Sequence, residues 1–126
     1  MPVMDWFPQR RSRVPWPALV RVRGNSMEPT YAAGDVLLVV PARPRPGLAV
    51  VALPPDRHGG PRPPAVKRIG RAPGEPDRWW VDSDNPAGVT SFDVGTLPDS
   101  AVLARVLTRV WPVYRAPARG GPTGEG

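Results

Sequence analysis

The sequence has no cysteine and only one histidine, His58. The lack of cysteine excludes disulfides, thiolate metal ligands and a cysteine nucleophile. His58 stands in a stretch flanked by glycine and proline, which is typical of an exposed loop, so a catalytic triad that depends on histidine is not expected. A metal site would have to use oxygen ligands almost entirely. We therefore predict neither a metal nor any other cofactor.

Long apolar segments are also missing. No run approaches the roughly 18 apolar residues of a membrane span, and the N-terminus lacks the apolar middle region of a secretory signal. The sequence therefore predicts a cytoplasmic protein. The net charge of +6 is spread along the whole chain without a nucleic-acid-binding motif, so no nucleic-acid partner is expected.

Proline and glycine are abundant instead, with 20 and 13 residues in a chain of 126. They divide the sequence into short segments, and the apolar segments between them are rich in valine, as β-strands are. The length suits one domain. We predict a mainly β fold, a small β-barrel-type domain with long Pro/Gly loops. The predicted strands are 18–23, 36–40, 48–53, 65–69, 79–81 and 101–110, with a turn of helix near 98–101 and a loop over 82–95.

The two ends of the chain differ from the middle. Residues 1–17 mix aromatic residues with arginines and prolines, and residues 116–126 carry no core residues. We predict a flexible lead-in over 1–17, a domain over 18–115 and a disordered tail over 116–126. An alternative for residues 1–16 is weak peripheral contact with a membrane surface, although their prolines prevent a long amphipathic helix.

Lys67 is the only lysine, against sixteen arginines. Arginine does not give up its proton in a protein, whereas lysine can act as a neutral base once burial has lowered its pKa. Strand alternation places Ala65, Lys67 and Ile69 on one face, and the ammonium loses hydration if that face is the core. The alternative is a lysine on the solvent face of the strand, which is commoner for this residue type.

Ser26 follows a Gly-Asn turn between two predicted strands. A serine in such a turn can expose its hydroxyl and present its own backbone N–H to a developing oxyanion. The hydroxyl needs a base within about 2.6–3.2 Å, and outside the carboxylates only Lys67 and His58 have suitable chemistry. We therefore interpret Ser26 and Lys67 as a candidate nucleophile and general base. The alternative is that Ser26 only shapes or caps the turn.

Several segments, in the correct order, resemble the sequence boxes of the Ser/Lys proteases, the superfamily of type I signal peptidases and LexA-type self-cleaving repressors. Residues 24–30 and the strand after Gly34 resemble the nucleophile box, and residues 65–70 resemble the box of the general-base lysine. Residues 82–86 are similar to the Gly-Asp-Asn box of signal peptidases, with Ser83 in the place of the glycine. Ordered boxes are a stronger signal than any single one. The short chain is similar to a soluble branch that includes the maturation proteases of nickel superoxide dismutase.

The resemblance implies a signal-peptidase/LexA-like catalytic domain in which Ser26 attacks a peptide carbonyl and neutral Lys67 takes its proton. Gly24, Asn25 and Met27 would belong to the oxyanion site and the substrate groove. Gly24 stands where signal peptidases often have a serine, so it has no hydroxyl to offer as a second oxyanion donor. The structural residues of the boxes would be Pro29, Gly34, Asp35, Asp84 and Asn85.

The sequence leaves open which hydroxyl orients the lysine. Signal peptidases carry a Ser-x-Asp-Ser-Arg stretch after the Asp-Asn box, and this chain departs from it. If the two stretches are aligned on the Ser-x-Asp triplet, Ser91 would brace Lys67 and Asp93 would support Ser91. Ser83 is the other candidate.

The function implied by the resemblance is that of a metal-independent serine endopeptidase. It would remove a leader, signal or propeptide from a protein or peptide substrate with a cleavable N-terminal segment. One alternative is a LexA-type self-cleaving regulator, but residues 1–25 hold neither the Ala-Gly or Cys-Gly pair that such proteins cut nor a helix-turn-helix domain. Another alternative is a non-catalytic binding module that keeps the same fold.

Overall fold

The structure is a computed structural model that describes residues 3–5, 7–8 and 14–112. Its secondary structure is almost entirely extended. The elements are β1 (Val3–Met4), β2 (Ala18–Arg21), β3 (Val36–Val40), β4 (Gly47–Val51), β5 (Ala65–Ala72), β6 (Glu75–Asp82), α1 (Ser91–Val94), β7 (Leu97–Pro98), a 3-10 turn (Asp99–Ala101) and β8 (Val102–Trp111).

The strands form one mixed sheet in the order β1-β2-β3-β8-β4-β5-β6-β7. β1 pairs with β2 in parallel, and every other pairing is antiparallel. Strand β8 lies at the centre and pairs with both β3 and β4, so it connects the first half of the chain to the second. The prediction of a mainly β fold is confirmed.

The predicted elements match the observed ones best where valine runs or strand alternation were clear. The short helical turn expected near 98–101 is the 3-10 turn Asp99–Ala101. The loop expected over 82–95 differs, because it contains the helical turn α1. A capping box explains α1: the Thr90 side chain accepts a hydrogen bond from the Phe92 N–H, and the Asp93 carboxylate accepts one from the Thr90 N–H at 2.9 Å.

Apolar side chains of the sheet form two buried clusters. The first is built around β2, β3 and β8 and includes Met27 and Tyr31 from the connection between β2 and β3. The second joins β5, β6 and β7 to the inner residues of β4, with Trp79 as its largest buried side chain. Strand β5 contributes to both, since Val66 packs on the first cluster and Ile69 belongs to the second.

The described residues of the N-terminal segment are packed onto the domain. Phe7 and Val14 are only 6% and 5% exposed and belong to the first cluster. The rings of Phe7 and Trp16 lie 6.0 Å apart, and β1 adds a strand to the edge of β2. At Phe7 and Val14 the structure therefore differs from the flexible lead-in expected over 1–17, because these apolar side chains are buried in the first cluster.

Two further expectations concern the ends of the chain and membranes. The disordered tail predicted over 116–126 lies outside the described residues. Within the described ranges, no helix has the length and apolar character needed to cross a bilayer.

Candidate active site

Ser26 lies in the connection between β2 and β3, in a turn that backbone hydrogen bonds fix at both ends. The Val22 N–H donates to the Asp35 carbonyl at 2.7 Å, and the Gly34 N–H donates to the Val22 carbonyl at 2.9 Å, so the two ends of the connection are held together. Inside it, the Glu28 N–H donates to the Asn25 carbonyl at 3.1 Å. Ser26 is half-buried at this turn.

The backbone N–H of Ser26 is available as a donor. Its carbonyl accepts a hydrogen bond from the Asn85 N–H at 2.8 Å, but in the described part of the chain its own N–H makes no hydrogen bond. Gly24, two residues earlier, adopts a left-handed φ of 74° that a side chain would disfavour. The turn can therefore present one backbone donor beside the hydroxyl, as an oxyanion site requires.

Lys67 lies on β5 with its side chain buried. It is 2% exposed and alternates with the exposed neighbour Arg68, while Ile69 on its own face is buried. Within the described ranges no carboxylate lies within ion-pair distance of Lys67. The predicted burial of this lysine is therefore observed.

The electrostatic surroundings of Lys67 favour its neutral form. Burial lowers the pKa of Lys67 below the ordinary value of lysine. The Asp93 carboxylate opposes this shift in the pKa, the Arg62 guanidinium adds to it, and Asp82 opposes it more weakly. The dominant cause is the loss of hydration, so the amine can be a base nearer neutral pH than an exposed lysine can.

Ser83, rather than Ser91, is the hydrogen-bond partner of Lys67. The Lys67 Nζ donates to the Ser83 Oγ at 2.9 Å, and the Ser83 hydroxyl donates to the Val89 carbonyl at 2.7 Å. The Ser91 Oγ instead accepts a hydrogen bond from the Val81 N–H at 2.7 Å. Of the two hydroxyls that the sequence left open, only that of Ser83 therefore contacts the lysine, because α1 turns the Ser91 hydroxyl toward the backbone of β6.

Gly88 brings Ser26 and the lysine's partner together. A Cβ built on Gly88 would lie 2.5 Å from the Ser83 Oγ and 2.8 Å from the Ser26 Cβ. Only hydrogen at this position leaves space for both serines. Ser26 and the pair Lys67–Ser83, separated widely in sequence, therefore converge on one point of the loop after β6. Gly88 cannot be recognised from the sequence, because nothing distinguishes it there from the other loop glycines.

Asp84 connects three segments around this point. Arg68 donates to both Asp84 carboxylate oxygens, at 2.9 and 2.8 Å, and the Thr30 hydroxyl also donates to this carboxylate. The hydrogen bonds from Arg68 are the main reason that the pKa of Asp84 lies below its usual value. The Asn85 Nδ2 donates to the Asn25 carbonyl at 3.0 Å. The Asp-Asn pair thus fixes the serine turn against β5.

The remaining residues singled out from the sequence surround this site in supporting positions. Met27 is 1% exposed and lies in the first apolar cluster. Asp35 is buried, and its carboxylate accepts a hydrogen bond from the Ala32 N–H at 3.0 Å and lies 4.0 Å from Arg109. Pro29 and His58 are exposed.

A groove of about 300 Å³ begins at Ser26. Its walls come from the serine turn, the edge of β2, the start of β5 and the N-terminal segment, and most of its side chains are apolar. Strand β6 pairs with β5 only from Arg68 onward. Within the described chain, Ala65 and Val66 of β5 therefore pair with β4 on one side and with no strand on the other. The lining includes Met4, Val20, Val22, Ser26, Met27 and Val66.

Ser26 and the hydroxyl that accepts from the buried Lys67 both lie against Gly88, beside an open groove, but among the described residues no hydrogen bond joins the Ser26 hydroxyl to the Lys67 amine. A serine hydrolase without a catalytic histidine needs these two groups, a hydroxyl and a neutral amine, in one site. A family model described as Peptidase S24-like matches residues 10–106, more than half of the chain. The chain therefore belongs to the S24-like peptidase family, within the superfamily that the sequence boxes resemble, and is a serine peptidase in that general sense. Searches of the curated proteins and of the solved structures gave no significant match.

Paired substitutions distinguish the roles of the two serines near the lysine. Ser83→Ala should lower kcat by about tenfold to hundredfold, a part of the roughly 10²- to 10⁴-fold that a positioned base contributes. It should also move the acid limb of the pH–rate profile to lower pH, because the ammonium loses an acceptor. Ser91→Ala should leave kcat near that of the wild type but destabilise the fold by about 1–3 kcal/mol, since a buried N–H loses its acceptor. Peptide cleavage rates and urea unfolding measure both; the reverse pattern would assign the bracing role to Ser91.

Gly88→Ala tests the convergence directly. A methyl group at that point forces one serine away, and a displacement of about 1 Å at a reacting group costs on the order of a hundredfold in rate. Gly70→Ala is the matched control, because a Cβ there meets no atom within 4 Å. We expect cleavage rates about a hundredfold lower for Gly88→Ala and within about twofold of wild type for Gly70→Ala. Equal rates for all three proteins would show that Gly88 does not set the distance between the serines.

Proposed function

We propose that the protein is an endopeptidase in which Ser26 is the nucleophile and neutral Lys67 is the general base. One observation carries this proposal: the Ser26 side chain and the Ser83 hydroxyl, which accepts a hydrogen bond from Lys67, both lie against Gly88. Membership of the S24-like family supports the same assignment. A metal-independent mechanism needs no further group, because the base, the nucleophile and an N–H donor all come from this chain.

In the first step the Ser26 Oγ attacks the substrate carbonyl carbon while the Lys67 Nζ takes the hydroxyl proton. Negative charge develops on the carbonyl oxygen, and the Ser26 N–H donates to it. Lys67, now an ammonium, gives its proton to the leaving amine as the peptide bond breaks. Water then attacks the acyl-enzyme while Lys67 takes its proton. The ester bond to the Ser26 Oγ breaks, this oxygen recovers a proton from the Lys67 ammonium, and the acid product leaves.

Ser83 acts as a positioning residue. Its hydroxyl accepts from Lys67 and donates to the Val89 carbonyl, so it fixes the direction of the amine without supplying a charge. A carboxylate in its place would hold the proton on the lysine and raise the pKa of the base. A neutral brace is therefore suited to a lysine that must lose its proton.

The substrate that fits this site is an extended segment of a protein or peptide. The open edge of β5 at Ala65 and Val66 can pair with an incoming strand, whose main-chain groups would supply affinity. The apolar groove would take side chains that precede the cut. An extended, cleavable segment near an N-terminus, such as a leader, signal or propeptide, meets these requirements, and it remains the substrate class that we propose.

Single substitutions test the pair. Ser26→Ala and Lys67→Met should each reduce cleavage by roughly 10³-fold or more, as losing either member of a nucleophile–base pair does. His58→Ala should retain activity within about twofold, because its side chain lies in an exposed loop. Mass spectrometry of new N-termini in a proteome-derived peptide library measures all three. An inactive His58→Ala protein that is folded would rule out this mechanism.

The same experiment separates the alternative functions. A binding module would cut nothing, and Ser26→Ala would behave as the wild type does. A self-cleaving regulator would shorten its own chain, so after incubation without substrate the wild type would show fragment masses that Ser26→Ala does not. We expect both proteins to keep their full-length masses, which differ only by the substitution itself, together with Ser26-dependent cleavage of the library.

The pH dependence follows from the lowered pKa of Lys67. Below that pKa the lysine is charged and cannot accept the Ser26 proton, so kcat/KM should rise with pH and level off below the ordinary lysine pKa of 10.5. Between the lowered pKa of the folded protein and the ordinary lysine pKa, the unfolded chain binds more protons at this lysine than the folded one. Folding stability should therefore also rise with pH between these two pKa values. Lys67→Met should remove this part of the stability increase. An activity that falls as pH rises through neutrality would contradict the assignment.

A further inference from the structure

A second cavity, of about 450 Å³, is lined by Gly88, which is not among the residues that line the apolar groove. Gly88 and Val89 form one wall, and the Val89 carbonyl is the group that accepts the hydrogen bond of Ser83. The loop between β4 and β5 forms the opposite wall. This cavity therefore adjoins the end of the site where the lysine is held.

The chemistry of peptide cleavage assigns a direction to the two cavities, and this step rests on the proposed function. The general base that takes the serine proton must later protonate the leaving nitrogen, so the residues after the cut have to leave on the lysine's side of Ser26. The acyl part stays bonded to Ser26, which lines the apolar groove. The second cavity is thus placed to receive the segment that follows the cut.

The charges in this cavity are not paired with one another. It contains Arg57, Arg62, Asp56 and Asp93, yet none of the ion pairs of the described chain joins these four. Each carboxylate already accepts hydrogen bonds within its own loop: Asp56 from the N–H groups of His58 and Gly60, at 2.9 and 2.8 Å, and Asp93 from the Thr90 N–H.

The two arginines differ in how far they are engaged. The Arg62 Nη1 donates to the carbonyls of Pro54 and Pro55, both at 3.0 Å, which orients its guanidinium and leaves its charge unneutralised. Arg57 is exposed and, among the residues that the structure describes, makes no hydrogen bond or ion pair. Both guanidinium groups can therefore donate to a ligand, and a carboxylate is the ligand that such a fork matches best.

We infer that this cavity is the binding site for the residues that follow the scissile bond, and that Arg57 and Arg62 select an acidic side chain among the first few of them. The two halves of the substrate would then differ in character, with apolar side chains before the cut and a carboxylate after it. The preference should be modest, because ion pairs that remain partly exposed to solvent contribute little.

Charge reversal at Arg57 is the sharpest test, since its side chain supports no other part of the fold. The wild type, Arg57→Glu and the control Arg45→Glu, an exposed arginine near the other end of the sheet, are each incubated with the same proteome-derived peptide library. Cut sites are identified by mass spectrometry. We expect the wild type and Arg45→Glu to enrich Asp and Glu after the cut by about threefold to tenfold. In Arg57→Glu that enrichment should disappear and Lys and Arg should gain.

Salt provides an independent readout. Raising the salt from about 0.05 to 0.5 M should reduce the acidic preference of the wild type, because it shortens the screening length to a few ångströms. Identical profiles after the cut for the wild type and Arg57→Glu would overturn this inference and leave the endopeptidase assignment intact. If the wild type cuts no peptide at all, the proposed function fails first and this inference fails with it.

Discussion

The structure depends on one buried amine whose only hydrogen-bond partner in the described chain is a neutral hydroxyl. An ammonium in such a place loses hydration and gains no counter-charge at contact distance, so the uncharged form is favoured. Arg62 and Asp93 act from farther away and in opposite directions, which leaves solvent exclusion as the main control of the lysine's basicity. In the mechanism that we propose, such an amine activates the serine without a histidine, and the single histidine of the chain lies in an exposed loop.

The sheet is arranged to bring this amine to the serine turn. Four strands separate β2 from β6 in the sheet order, yet the turn after β2 and the loop after β6 are joined by the hydrogen bond from the Asn85 N–H to the Ser26 carbonyl. The sheet must therefore curve so that its two halves face each other across the site. Gly88 lies where the two halves are in contact. Because it has no side chain, Ser26 and Ser83 can both lie against it, and a larger residue would push them apart.

The strands, the burial of Lys67 and Ser26 as a candidate nucleophile could be predicted from the sequence. Strand alternation, apolar runs and ordered sequence boxes are local patterns that can be recognised without the tertiary structure. The sequence did not distinguish Ser83 from Ser91. That choice depends on the direction in which α1 turns the Ser91 hydroxyl, which is a property of tertiary packing rather than of register. Gly88 was missed for the same reason, and so was the packing of the N-terminal segment: a short segment broken by prolines carries no periodicity, although Phe7 and Val14 are buried.

Asp84 has a consequence for when the enzyme can first be active. Its carboxylate accepts hydrogen bonds from Arg68 on β5 and from Thr30 beside the serine turn. Thr30 and Asp84 are 54 positions apart in the sequence. A nascent or partly assembled chain lacks one end of this bridge, and its serine has no fixed neighbour. The surroundings of the serine would thus be complete only after the segments on both sides of this bridge have come together.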